Sequence, residues 1–296
     1  MGRFKIPRLE TFLRIATLTL IFCTPLSSFS EEVVEKSFTE NFKDYARKFA
    51  SDIPAMWRCF KMRWMAYFRP HPPIPFHING KTPIILVHGY MHDNSVWEDL
   101  RLTLKNAAVG PVFSPSLSRS IDDIRKSARE VAIWVQIAKK TTGCDSVILV
   151  GHSMGGLASA YAVQHYLDEE DVIGVITLGT PHHGTSLANI AIGKAAFQMR
   201  TESAFVSGLR NNIQLNPKTE YICLGSLADE AVLPASSCFL YKEGEGVGIT
   251  YDHVGHNAML FDERVAEDVV SMIQTLNDRR GSNESQVQVW IKQTPH

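Results

Sequence analysis

The chain has almost no net charge. Its 30 Lys/Arg nearly cancel 31 Asp/Glu, leaving a formal −1 over 296 residues, so no basic field argues for a nucleic-acid partner. Internal repeats and low-complexity tracts are also missing, and 19 glycines and 14 prolines are too few for a fibrous or disordered class. Metal-ligand spacing is absent: His182 and His183 are adjacent, neighbours in sequence point apart, and no carboxylate or cysteine spacing completes a site. No metal and no cofactor are therefore expected. The apolar run Ile15–Leu26 is short for a bilayer span, and Arg14 limits its backward extension.

That run still has a meaning. Arg3, Lys5 and Arg8 precede it, and Ser28 and Ser30 stand at −3 and −1 of a cut before Glu31. This is the order of a secretory signal peptide, so residues 1–30 are read as one and the protein as exported, secreted or periplasmic. The alternative is an uncleaved N-terminal membrane anchor. Cleavage would leave 26 basic and 30 acidic residues, a formal −4, and Cys59, Cys144, Cys223 and Cys238. In an oxidising compartment four thiols permit two disulfides; buried free thiols are the equal alternative.

Residues 31–81 read as a helical segment followed by a stiff linker with Pro70, Pro72, Pro73 and Pro75. Within 56–69, Trp57, Phe60, Trp64 and Tyr67 or Phe68 recur at helical spacing, with Arg58, Lys61, Arg63 and Arg69 between them and no acid. Such a helix either docks on a lipid surface or packs its aromatic face on the following domain, as amphipathic helices usually do. The packed arrangement is the favoured expectation, with membrane or lipid contact the second.

With 45% hydrophobic residues the chain can bury a large core. From residue 82 short continuous apolar runs appear at 83–87, 145–150, 172–179 and 221–225, as in parallel strands buried on both faces. Helical patterns lie between them: one from a Ser120/Asp123 capping box to Gly143, one over Met154–Tyr166 and one over 262–276. The fold class is α/β, a mostly parallel doubly wound sheet flanked by helices, over 82–276. Residues 185–217 form a small helical cap within it, and 277–296 a C-terminal tail that is either a loose end or an extra edge strand.

Gly151-His152-Ser153-Met154-Gly155 matches G-x-S-x-G between an apolar strand and a helix. That context makes Ser153 the nucleophile on a sharp turn, with the glycines giving the turn room to pack. Acyl transfer needs donors for the developing oxyanion. They are assigned to the N–H of Met154 and to that of Tyr90, in the loop after the strand 83–87, with Met91 second. His88 and His92 hold this loop. The chain order in such sites is nucleophile, acid, base. Asp229 is the acid and Glu230 its neighbour and alternative, the other reading being a solvated loop pair. Among the later histidines, His256 is the base, His253 the runner-up, and His296 is terminal. His152 packs beside the turn.

Five ordered stretches, "VHGY" (87–90), "VGHSMGG" (150–156), "LGTPHHGT" (178–185), "SLADEAVLPASS" (226–237) and "VGHNAMLF" (254–261), resemble the serine lipases and esterases of the α/β-hydrolase superfamily, including secreted bacterial triacylglycerol lipases. The resemblance implies the α/β-hydrolase fold and a Ser153–His256–Asp229 triad acting through an acyl-enzyme. It supports Asp229 over Glu230 through D-E-x-V-x-P, and implies a lipid or other acyl ester as substrate. No motif matches the Ca²⁺ site of some bacterial lipases. A cap of about 33 residues (185–217) is short for a lid that uncovers an apolar patch. The same triad would serve an acyltransferase or a deacylase of lipid-anchored glycans, and a non-catalytic hydrolase-fold binding module is the rival from another class.

Overall fold

The computed structural model describes residues 31–68, 72–74, 81–118, 120–215, 218–241, 247–282 and 291–293. The expected signal peptide, most of the proline-rich linker and most of the C-terminal tail lie outside the described residues. No helix of the described residues is long and apolar enough to cross a membrane.

Among the described residues seven parallel strands form one sheet in the order β2-β1-β3-β4-β5-β6-β7. They are β1 (Ile84–Val87), β2 (Val112–Phe113), β3 (Val147–His152), β4 (Val172–Leu178), β5 (Glu220–Ser226), β6 (Val247–Tyr251) and β7 (Ile291–Gln293). β1, β3, β4 and β5 answer to the four apolar runs of the sequence, and they are buried almost throughout. The chain moves outward from β1 to β2 and then in the other direction through β3 to β7. The order therefore reverses between β1 and β3, where the C-terminal strand ends open a crevice suited to a ligand.

Helices cover both faces. α3 (Ile124–Thr142), α4 (Met154–Tyr166) and α6 (Ala204–Leu215) bury Val131, Val135, Leu157, Val163, Val206 and Leu209 in one core with Ile85 and Val87. On the other face, α2 (Glu98–Asn106) and α7 (Glu263–Ser282) pack Leu100, Leu104, Val265 and Val269 against Ile84 and Leu86. Alternate residues of β1 thus feed opposite layers, the period-two geometry of a strand.

Local signals explain the helix ends, with one correction. α3 closes at Gly143 with φ 73, a left-handed cap that glycine takes without strain. Its start is not the Ser120/Asp123 capping box. Asp123 is itself the N-cap, accepting from Arg125 N at 3.0 Å, and the helix begins at Ile124. An acid two residues before a free N–H of the first turn satisfies it directly, so Ser120 is left in the preceding turn.

The larger correction concerns α1 (Glu31–Phe68), a single helix of 38 residues that runs through Pro54. Its aromatic stripe does not pack on the domain. Trp57, Phe60, Trp64 and Tyr67 are 66%, 60%, 64% and 85% exposed. The buried stripe is instead Asp52, Ala55, Cys59 and Met62, small or thin side chains that let the helix lie close to the domain. The wide rings could not have been accommodated there, and they fall on the opposite side.

The segment 185–217 is helical as expected, with α5 (Gly193–Gln198) followed by α6. It is bonded to the start of α3: Gln198 accepts from Ile124 N at 2.8 Å and donates to Asp123 Oδ1 at 2.6 Å, and Lys194 Nζ lies 2.7 Å from Asp123 Oδ2. Burial works against the Asp123 carboxylate, but these donors outweigh it and hold its pKa down to about 2.

Candidate active site

Ser153 follows β3 directly and precedes α4, with φ 56 and ψ −127, a backbone region that costs a non-glycine residue strain. The surrounding glycines make the turn possible. A Cβ on Gly155 would collide with Val87 O, and one on Gly151 would lie 2.5 Å from Gly156 N. The turn is anchored to the end of β4, where Ser153 N donates to Leu178 O at 2.8 Å and Thr180 Oγ1 donates to Ser153 O at 2.9 Å. The loop after β1 presses on it as well, because a Cβ on Gly89 would sit 2.9 Å from Ser153 Cβ. Tyr90, the next residue, and Met154, at the head of α4, therefore flank the serine. Met91 takes φ 58, so this loop is sharply bent.

Asp229 and His256 meet in the interior. His256 Nδ1 lies 2.8 Å from Asp229 Oδ2, and both side chains are buried. Asp229 Oδ1 accepts from Ala231 N at 2.8 Å and Val232 N at 2.7 Å, which locks the carboxylate plane. The Cys238 thiol lies 3.9 Å from Oδ2. Gly179, one residue past β4, fills the remaining gap: a Cβ there would be 3.1 Å from both Asp229 Oδ2 and His256 Nδ1. The structure thus gathers Ser153, Asp229 and His256 around the ends of β3, β4 and β5. His253, the runner-up, lies outside this cluster on an exposed turn.

The electrostatics are uneven. Burial works against the imidazolium of His256, but the charge and hydrogen bond of Asp229, with the charges of Glu230 and Asp52, outweigh it and raise the pKa from 6.5 to about 9. His152 and His92 go the opposite way. Burial lowers His152 well below its usual range and His92 to about 3, and the charge of His256 pushes both further down. His152 is fully buried, its Nε2 donates to His256 O at 3.0 Å, and its ring centroid is 4.7 Å from that of His256. It holds His256 in place and stays neutral. His88 holds the β1 loop, with Nδ1 3.0 Å from Gly89 O and Nε2 accepting from Leu117 N at 2.8 Å.

Two acids take positions that the sequence reading missed. Glu230 is buried, not solvated, and accepts from His256 N at 3.0 Å. Burial, reinforced by the Asp52 charge and opposed by His256, raises its pKa to about 8. Asp52 reaches the same loop from α1. A signal for it exists: an acid in register with the Ala55–Cys59–Met62 stripe is an acid bound for burial. Nothing local distinguishes Glu230 from a surface acid.

Cys59, Cys144, Cys223 and Cys238 form no disulfide with one another. Buried His182 packs 3.7 Å from the Cys223 thiol and 3.2 Å from Thr177 Oγ1. Among the described residues no group of three or more His, Cys, Asp or Glu is placed to hold a metal ion.

Comparison with known proteins agrees with this architecture. Residues 116–233, less than half of the chain, match the PGAP1-like alpha/beta domain family. Over 117 residues the chain is 30% identical to a triacylglycerol lipase of Pseudarthrobacter phenanthrenivorans and to another of Burkholderia plantarii. The matched stretch is 37% of this chain and 36% and 32% of those lipases, so the chain spans about a third of their length. Aspergillus fumigatus lipase B superposes with a TM-score of 0.59 at 21% identity, over 68% of this chain and 55% of that one. The mature Bacillus licheniformis lipase BlEst2 gives 0.53 at 23%, over 70% and 96%. These likenesses show that the chain has the α/β-hydrolase fold.

Proposed function

We propose that this α/β-hydrolase is a serine carboxylic-ester hydrolase acting on lipid acyl esters. The observation that carries the reading is a serine on a strained strand-to-helix turn, in one site with a buried carboxylate–imidazole pair. Ser153 attacks the ester carbonyl and His256 takes its proton, then returns it to the leaving alcohol. Asp229 fixes the tautomer of His256 and stabilises its charged form. The N–H groups of Met154 and Tyr90 receive the oxyanion, and water releases the acyl-enzyme. Support for an acyl substrate comes from exposed apolar side chains at the β1 loop: Met91 on it, and Ile192 on the cap, whose backbone O accepts from Tyr90 Oη at 2.6 Å.

The test is covalent. An alkyl fluorophosphonate labels Ser153 stoichiometrically, p-nitrophenyl butyrate turnover falls in proportion, and peptide mapping finds the adduct on the 151–155 turn. A folded protein that takes up no label removes the reading.

Export and lipid contact complete the proposal. Export rests on the signal-peptide order of residues 1–30. Contact with a lipid–water interface rests on Trp57, Phe60, Trp64 and Tyr67, which face solvent on α1 with Lys61 among them; rings with an amphipathic character beside cations suit such an interface. Replacing Trp57, Phe60 and Trp64 together with serine lowers the fraction sedimenting with phosphatidylglycerol-containing vesicles about tenfold, at an unchanged melting temperature. Undiminished sedimentation would remove α1 from the lipid-binding surface.

A further inference from the structure

α1 lies wholly before residues 116–233, the part of the chain that matches a family model, yet its inward face ends on the catalytic loop. Asp52 is fully buried. Its Oδ2 accepts from Asn257 N at 3.2 Å and Asn257 Nδ2 at 2.8 Å, and its Oδ1 accepts from Ala258 N at 2.9 Å. Those are the two residues immediately after His256. On the other side of the histidine, a Cβ added to Gly255 would come 2.5 Å from Asp52 Oδ1. One carboxylate therefore bears on both flanks of the base. Two turns along α1, the Cys59 thiol lies 3.9 Å from Asn257 Oδ1. Further on, Arg63 Nη1 donates to Met91 O at 2.5 Å, in the loop that brings Tyr90 beside Ser153.

Burying a carboxylate without a countercharge on its hydrogen-bonding atoms is costly, and here the compensation comes from three N–H donors of one loop. We propose that Asp52 is a positioning residue for His256: from a helix outside the hydrolase domain it holds the Gly255–Ala258 turn so that the imidazole presents Nε2 to Ser153. This rests on the Ser153–His256–Asp229 assignment. It makes α1 part of the catalytic apparatus and not only a surface attachment, since the helix that bears the exposed aromatic stripe also holds the base.

The experiment uses the full chain and normalises every rate to sites titrated with a fluorophosphonate, so that loss of folded protein is not read as loss of catalysis. Asp52→Asn keeps the shape but replaces one acceptor oxygen with an amide donor facing other donors. The expected result is a fall in kcat per titrated site of about tenfold or more, with KM for p-nitrophenyl butyrate within about twofold of the parent. The groups charging the surroundings of His256 are Asp229, Glu230 and Asp52, with His152 and His92 beside it. Removing one negative charge also moves the acid limb of the kcat/KM profile to lower pH. Met62→Ala, on the same buried stripe, lowers the melting temperature and leaves kcat per titrated site unchanged. Asp52→Asn with an unaltered kcat per site, or Met62→Ala with an equal loss, overturns the proposal. Should Asp52→Asn yield no folded enzyme, Asn257→Ala decides, because it deletes the 2.8 Å donor to Asp52, with the weak Cys59 contact, and keeps both backbone donors: a severalfold loss supports the role and an unchanged rate refutes it. A parent protein that neither takes the label nor turns over ester fails at the triad, which is a different result from a parent that does both and tolerates Asp52→Asn.

Discussion

Ser153→Ala lowers ester turnover by about 10⁵- to 10⁶-fold, the scale on which a triad acts as a unit. The loss is catalytic and not structural. The serine side chain makes no capping hydrogen bond at the head of α4, and the turn is held by backbone groups of β4 and by Thr180. Alanine tolerates φ 56 no better and no worse than serine, so unfolding stability changes by no more than about 0.5 kcal/mol. Turnover of p-nitrophenyl butyrate and chemical denaturation, measured on the same preparation, check both halves. Retained turnover would place the nucleophile elsewhere.

Asp229→Asn costs about 10³- to 10⁴-fold in kcat. Asparagine can keep Oδ1 toward Ala231 N and Val232 N, the two backbone donors at 2.8 and 2.7 Å. Its amide then faces His256 Nδ1 at the 2.8 Å position. Two donors cannot share that contact, so the imidazole must offer Nδ1 as acceptor and carry its proton on Nε2, the wrong end for taking one from serine. The pH profile moves with it. In the parent the base works only when neutral, and its pKa is raised from 6.5 to about 9; activity therefore climbs with pH through the alkaline range and levels off above that value. Taking away the Asp229 charge removes the leading raising contribution, so the small residual activity titrates at a lower pH. A profile that keeps its position would mean that Asp229 does not set the protonation of the base.

Much of this was legible beforehand. β1, β3, β4 and β5 are central strands buried almost throughout, and buried parallel strands declare themselves as unbroken apolar runs. Ser153 was legible because the motif imposes a backbone that only certain neighbours permit, and those neighbours are short-range. β6 was not legible. Its burial alternates along Val247–Tyr251 and Gly248 interrupts it, so it presents no apolar run. The two-residue β2 is below any periodicity. The direction in which α1 turns its rings was misread because helical spacing reports that aromatic residues share a face, but not whether another surface waits for that face. The thinner stripe of Ala55, Cys59 and Met62 carried the true contact. Asp52 escaped for a related reason: its partners, two backbone N–H groups and the Asn257 amide, lie some 205 residues away, so its register on the buried stripe marks it for burial without naming what it meets.

The join between the cap and α3 has a consequence for how substrate enters. Asp123 is at once the N-terminal cap of a 19-residue core helix and the acceptor for Lys194 and Gln198 of the cap. Swinging the cap away would take Gln198 from Ile124 N and remove two donors, Gln198 and Lys194, from the Asp123 carboxylate. The cap is thus tethered at the head of α3, and any movement of it over Ser153 has to break those contacts first.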